Sequence, residues 1–294
     1  MTTHAVASSN NSACHPGEEP GLPDFHRDGF IVLRAFLDPD EVAEIKTSVE
    51  SLLKLPHDPT CARPHNTLLP LRWKDRIVQM VLISEPRMQV LSQALGADDL
   101  KWISGYVSIK EAHSPALWWH QDWWCWDHAV SYRRSAAQVA ILCYLSDTNQ
   151  HNGTLRVLPG SHLRSAPIHA VLPEAHGQAM VGLALGHIAL SDLPDQATLC
   201  LRAGDAVAVD YRLLHGTHGN ASDVRRDCVI LNFTPSWRQL PDDIKAHLIS
   251  HPAQPSEDEI AQASMISKLL PMFHGTRRSL PLNRNAPAKF EVGD

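Results

Sequence analysis

The stretch Gly204-Asp205-Ala206-Val207-Ala208-Val209-Asp210, followed by His215-Gly216-Thr217-His218-Gly219-Asn220 and then Arg225-Arg226 opening 227–234, decides the fold. It reads as turn, strand, turn, strand, with a histidine closing one strand and a cation opening the next. Outward from it, short β-rich runs at about 102–109, 138–145, 154–158, 205–210 and 227–234 alternate with Gly, Pro, Asn and Asp turns. Several short strands at this spacing point to a β-sandwich or barrel rather than βαβ units.

Helical signals flank this region. Asp38-Pro39-Asp40-Glu41 is a helix start: Asp38 can cap, Pro39 sits where a missing N–H costs nothing, and Glu41 is three residues beyond the cap. Val42, Ile45, Val49, Leu52 and Leu53 then recur at helical spacing as far as Pro56. A second helical pattern covers about 75–95, interrupted near Pro86. Ser256-Glu257-Asp258-Glu259 opens a helical pattern near the end of the chain. The expected architecture is mainly β, with N- and C-terminal helices around the β core.

Of the 294 residues, 20% are charged and the formal charge is −6, with no basic run longer than a pair. That excludes nucleic acid and anionic lipid as expected partners. No apolar run reaches the roughly 18 residues of a membrane span. Residues 1–23 are polar and rich in Ser, Asn, Gly and Pro, which reads as a flexible tail without a leader. The expectation is a cytoplasmic protein, and the six cysteines, with no C-x-x-C pair, read as reduced thiols.

The chemistry concentrates at His120-Gln121-Asp122. On extended backbone, residues i and i+2 face the same side, so this imidazole and carboxylate can turn toward one metal. With a second histidine such a pair forms a two-histidine, one-carboxylate triad, which leaves positions open for dioxygen and is diagnostic of non-haem iron(II) oxygenases. His215 is the candidate for that histidine. An arginine after it, Arg225 or Arg226, suits the distal carboxylate of a dicarboxylate co-substrate, because its planar fork binds carboxylate bidentately.

These pieces, in this order, resemble the phytanoyl-CoA dioxygenase family over roughly residues 24–238. Asp28-Gly29-Phe30-Ile31-Val32-Leu33 is similar to the family's N-terminal signature, and His120-Gln121-Asp122 to its proximal ligand motif. Asn152-Gly153-Thr154-Leu155 with Pro159-Gly160-Ser161-His162 resembles its N-G-x-L…P-G-S-H stretch, and His215-Gly216 with Asn220 its distal histidine turn. The resemblance implies a double-stranded β-helix (jelly-roll) core at about 102–238 within one oxygenase domain, 24–294. It also implies Fe(II), 2-oxoglutarate and O2 as the reacting partners, with succinate and CO2 released. His120, Asp122 and His215 become the metal ligands. Arg226 becomes the 2-oxoglutarate arginine, supported by Thr217 and in some manner by Gln121, and Arg225 points the other way along its strand.

His162 reads as a turn residue, and His218, three beyond His215, as a pocket candidate. The run Trp118-Trp119 and Trp123-Trp124-Cys125-Trp126 around the proximal motif supplies core side chains, and Trp119, Trp123 and Trp126 are candidates for an apolar substrate wall. The resulting expectation is hydroxylation of a small, largely apolar metabolite. Halogenation is disfavoured because Asp122 holds the position a halide would need; desaturation, cyclisation and a non-catalytic binding role are the other readings. The C-terminal region 241–294 is read as a helical lid or a homodimer contact.

Overall fold

The computed structural model describes residues 24–61 and 65–293. The expected tail, 1–23, lies outside the described residues. Among the described residues ten strands form two antiparallel sheets: β1 (Phe30–Leu33), β2 (Thr67–Leu71), β3 (Lys101–Lys110), β4 (Leu117–His120), β5 (Val139–Tyr144), β6 (Leu155–Val157), β7 (Ala197–Thr198), β8 (Ala206–Asp210), β9 (His215–Thr217) and β10 (Arg226–Thr234). The larger sheet runs β1-β8-β5-β10-β3-β2 and the smaller β4-β9-β6-β7. Two facing antiparallel sheets of this kind are the sandwich that the strand spacing pointed to and the jelly-roll that the family resemblance implied.

Alternation of side chains sorts the larger sheet into two faces. Val229, Leu231 and Phe233 of β10, with Val107 and Ile109 of β3, face the helices: α1 (Phe25–Asp28), α2 (Pro39–Leu53), α3 (Arg76–Leu82) and α4 (Glu85–Leu95). Cys228, Leu142, Tyr144 and Val207 face inward, against Leu155 and Val157 of the smaller sheet. The capping box of α2 forms as read, with Asp38 accepting from the Glu41 N–H and Glu41 from the Asp38 N–H. The second helical pattern is two helices, broken at Ile83 and Ser84 ahead of Pro86.

Four strands, β2, β4, β7 and β9, were not among the runs read from the sequence. β2 carries Pro70 and is tolerated because it lies at the sheet edge. β9 is His-Gly-Thr, a composition that reads as turn, yet it pairs with both β4 and β6. Toward the C-terminus, α6 (Asp242–Leu248) follows a short α5 (Gln178–Val181) much earlier in the chain, and Glu257–Leu269 is 3-10 with a kink at Ala263 rather than α-helix. Residues 270–293 run without regular structure back toward the mouth of the β core. No helix among the described residues is long and apolar enough to cross a membrane. Cys61, Cys125, Cys143 and Cys228 are free; Cys200 departs from the reduced-thiol expectation and is disulfide-bonded.

Candidate metal centre

β4 and β9 bring the two key histidines together. His120 and His215 are direct cross-strand partners, so their rings share one face. Gly216 makes that approach feasible: a Cβ there would lie 2.8 Å from the Leu117 carbonyl oxygen and 2.9 Å from that of Trp118. Asp122, two residues past the end of β4, turns its carboxylate between the imidazoles, with Oδ1 3.6 Å from His120 Nε2 and Oδ2 3.6 Å from His215 Nε2. One donor atom from each of the three lies within 4.8 Å of the others.

Backbone carbonyls fix the tautomers. His120 Nδ1 lies 3.0 Å from the Trp118 oxygen and His215 Nδ1 lies 3.0 Å from that of Leu213. A carbonyl only accepts, so each Nδ1 carries the hydrogen and each Nε2 offers its lone pair to the centre. Burial, reinforced by His215, holds the His120 imidazole neutral, well below its ordinary value. Burial opposes ionisation of Asp122, but a hydrogen bond with His176 and the neighbouring imidazoles overcome it and keep the carboxyl well below the usual range. Two imidazole nitrogens with an ionised carboxylate are the donor set that iron(II) accepts.

His176 was not singled out from sequence. Its Nε2 lies 3.0 Å from Asp122 Oδ1 and its ring meets that of His120 edge-on at 4.8 Å. It sits on an irregular loop with φ of 64°, and nothing in its spacing signals the site.

Deeper in the β core, Arg226 opens β10 beside Lys110 and is buried, its guanidinium carbon 5.3 Å from the centre of the Tyr144 ring. Its Nε and the Tyr144 hydroxyl are both buried without a hydrogen-bond partner. Arg225 points away and is held by Asp227 and Glu50, as alternation along the strand requires. Thr217, two residues beyond His215, lies on the same side of β9 as that ligand candidate. Lys110 is buried nearby, its Nζ donating to the carbonyls of His65 (3.1 Å) and Pro115 (2.7 Å). Burial, then the charges of Arg226 and Arg156, lower it to about 7. A guanidinium buried without an anion is the cradle a dicarboxylate fits.

The remaining candidates fall elsewhere. Gln121 borders the cavity beside His120, but its amide donates to the Arg212 carbonyl. Trp119 is fully buried, donating to the Ser191 carbonyl at 2.9 Å under the Arg156 guanidinium. Trp123 donates to Ser131 Oγ at 2.8 Å, and Trp126 packs against Phe290. None of these three tryptophans borders the cavity at His120, whose apolar wall is Leu172, Pro173, Ala175, Met180 and Ala286. His218 bonds Thr198 Oγ1 at 3.0 Å and faces Asp192, and it does not border that cavity. His162 is buried against the turn at Gly29, with Nε2 3.3 Å from the His26 carbonyl oxygen.

Residues 25–228 match the phytanoyl-CoA dioxygenase (PhyH) family. The chain is 25% identical over 231 residues to an ectoine dioxygenase of Nocardia farcinica, covering 72% of this chain and 76% of that protein. It is 31% identical over 147 residues to the L-proline trans-4-hydroxylase of Streptomyces griseoviridis, covering 42% and 50%. Its fold is shared by the α-ketoglutarate-dependent epimerase SnoN from nogalamycin biosynthesis (TM-score 0.55, 18% identity, 88% of this chain and 95% of that one). It is also shared by Streptomyces hygroscopicus HygX, solved with nickel, 2-oxoglutarate and hygromycin B (TM-score 0.53, 20% identity, 72% and 84%). With a family match across most of the chain and a two-histidine, one-carboxylate cluster where the β core opens, this chain belongs to the phytanoyl-CoA dioxygenase family of iron- and 2-oxoglutarate-dependent dioxygenases.

Proposed function

We propose that the protein hydroxylates an unactivated C–H bond of a small, largely apolar metabolite, with His120, Asp122 and His215 as the iron ligands. Bound iron and 2-oxoglutarate supply dioxygen activation and the two electrons it needs. The chain's own residues do the rest. Trp118 and Leu213 carbonyls aim the two imidazoles, while Arg226 and Thr217 hold the distal carboxylate of 2-oxoglutarate. Leu172, Pro173 and Met180 keep water from the reacting face and hold the substrate's apolar body. The relatives named for ectoine and L-proline support a compact substrate.

The observation that carries this reading is the pairing of a convergent His-Asp-His set with the buried, anion-free Arg226 in one β core. Asp122 weighs against halogenation, since its carboxylate fills the position a halide would take. A purely binding role has less support, because ligand candidates and arginine are all present. The test is anaerobic addition of iron(II) and 2-oxoglutarate to the folded protein. A weak visible charge-transfer band in wild type that disappears in Arg226→Gln supports the reading. No band in folded wild type overturns it.

A further inference from the structure

The cavity beside His120 is closed on one side by the chain's own C-terminal segment, which is laced to the core at two places. Asn283 donates its N–H to the Trp124 carbonyl at 2.8 Å and accepts from the Trp126 N–H at 3.2 Å. Its side-chain amide donates to Asp127 Oδ1 at 2.7 Å. Further along, the Phe290 carbonyl accepts from the Ser165 N–H at 2.9 Å, and the Val292 N–H donates to the Leu163 carbonyl at 2.7 Å. The Phe290 ring also packs on Trp126 (4.9 Å) and His169 (5.3 Å). Between the two anchorages, Arg284, Asn285 and Ala286 reach the same cavity wall as His120 and Gln121.

Arg284 is the cation of that wall. It is half-buried, and no hydrogen bond or ion pair engages its guanidinium among the described residues. Arg156 and Arg212, also withdrawn from water, are each met by an aspartate and several carbonyls. Burial raises the hydroxyls of Tyr106 and Tyr211; the Asp122 charge pushes both the same way, and Arg284 opposes it in both. Geometry places Arg284 on the wall of the same cavity as His120 and Gln121. A partly desolvated guanidinium without an anion loses hydration that nothing in the chain restores. Arg226 lies inside the β core, whereas Arg284 lines the cavity beside His120 and remains partly exposed.

We infer that Arg284 binds a carboxylate of the substrate, so that the substrate is a small carboxylic acid. This rests on the iron/2-oxoglutarate reading above. The acid's apolar body lies against Leu172, Pro173 and Met180, and its carboxylate, gripped by the planar fork of Arg284, sets which C–H faces the metal ligands. Two anchorages on the strap give the fork a fixed position, which is what regioselective oxidation needs.

The experiment uses the full chain with iron(II) and 2-oxoglutarate. The probes are a panel of cyclic and aromatic carboxylic acids, L-proline among them, each beside its primary amide. Binding is read from the probe-induced shift of the anaerobic visible band, and turnover from succinate release in air. Response confined to the acids supports the proposal, together with a dissociation constant raised ~10–100-fold in Arg284→Gln, the loss expected for a charge-assisted hydrogen bond. Arg284→Lys, which keeps the charge without the fork, should fall between wild type and Arg284→Gln. An amide that binds as well as its acid, unchanged acid affinity in Arg284→Gln, or no response to any acid overturns it. A 2-oxoglutarate band lost only in Arg284→Gln also overturns it, by moving Arg284 to the co-substrate. Absence of the band in wild type instead fails the iron reading, and this proposal with it.

Discussion

His120 and His215 face each other across β4 and β9 with ring centroids 4.2 Å apart, and Gly216 is what lets the strands come so close. A methyl group at position 216 would press on the Leu117 and Trp118 carbonyls, and Trp118 is the residue that fixes the His120 tautomer. Gly216→Ala is therefore expected to cost about 1–3 kcal/mol of stability by overpacking. It should also weaken iron(II) binding. Thermal unfolding with a competitive metal titration checks both; a variant with wild-type metal affinity would remove the strand-spacing argument.

His176 holds Asp122 through a hydrogen bond at 3.0 Å. Partners that orient a ligating carboxylate typically change metal affinity ~10–100-fold when removed, and that is the loss expected for His176→Ala. His176→Gln, which keeps a donor, should recover part of it. Cobalt(II) titration followed by visible absorption reads the affinity without turnover. Equal affinities in all three proteins would assign His176 to the loop alone.

The adjacent arginines at the start of β10, Arg225 just before it and Arg226 opening it, should behave oppositely. Arg226→Gln is expected to raise the KM for 2-oxoglutarate by ~10–100-fold, the scale of a charge-assisted hydrogen bond. Arg225→Gln removes only the partner of Asp227 and Glu50 near the surface, and should leave that KM within about twofold. Equal effects of the two would contradict the alternation argument.

Lys110 gives a pH signature. Its folded value is lowered to about 7 against an ordinary 10.5, chiefly by burial. Between those values the unfolded chain holds the proton and the folded chain does not, so this residue's penalty is full below pH 7 and is relieved as pH rises. The melting temperature of the wild type should therefore gain on that of Lys110→Met from pH 7 to pH 9. Parallel curves would show that Lys110 stays charged when folded.

A buried ion pair supplies the contrast. Arg212 and Asp210 meet at 2.7 Å, almost wholly withdrawn from water, and Arg212 also ties the carbonyls of Ser131 and Arg133. Asp210→Asn strands a buried charge and is expected to cost about 3–5 kcal/mol. Denaturant melts measure it, and a loss below about 1 kcal/mol would show the guanidinium is solvated.

How much of this was legible follows from where the signal lives. The strands of the larger sheet other than β2 are runs of β-branched and apolar residues, and the Asp38 cap is local chemistry, so both show in the sequence. His120 and Asp122 sit at i and i+2, again a local pattern. β9 escaped because His-Gly-Thr has little strand propensity; its pairing comes from β4 and β6 on either side. His176 and Arg284 reach the site from irregular backbone, 54 residues after Asp122 in the first case, and no periodicity encodes such an approach. The tryptophans beside the ligand motif form a local run whose packing is not local: Trp119, Trp123 and Trp124 donate to Ser191, Ser131 and Gln138, and Trp126 packs on Phe290.

Arg226, buried with its Nε unbonded, has a consequence for the lifetime of the protein. A dicarboxylate that satisfies it binds the folded chain and not the unfolded one, so saturation at a hundred times the dissociation constant adds about 2.7 kcal/mol of stability. Resistance to proteolysis then tracks the supply of 2-oxoglutarate, and a cell short of that metabolite would clear this protein faster than one that is replete.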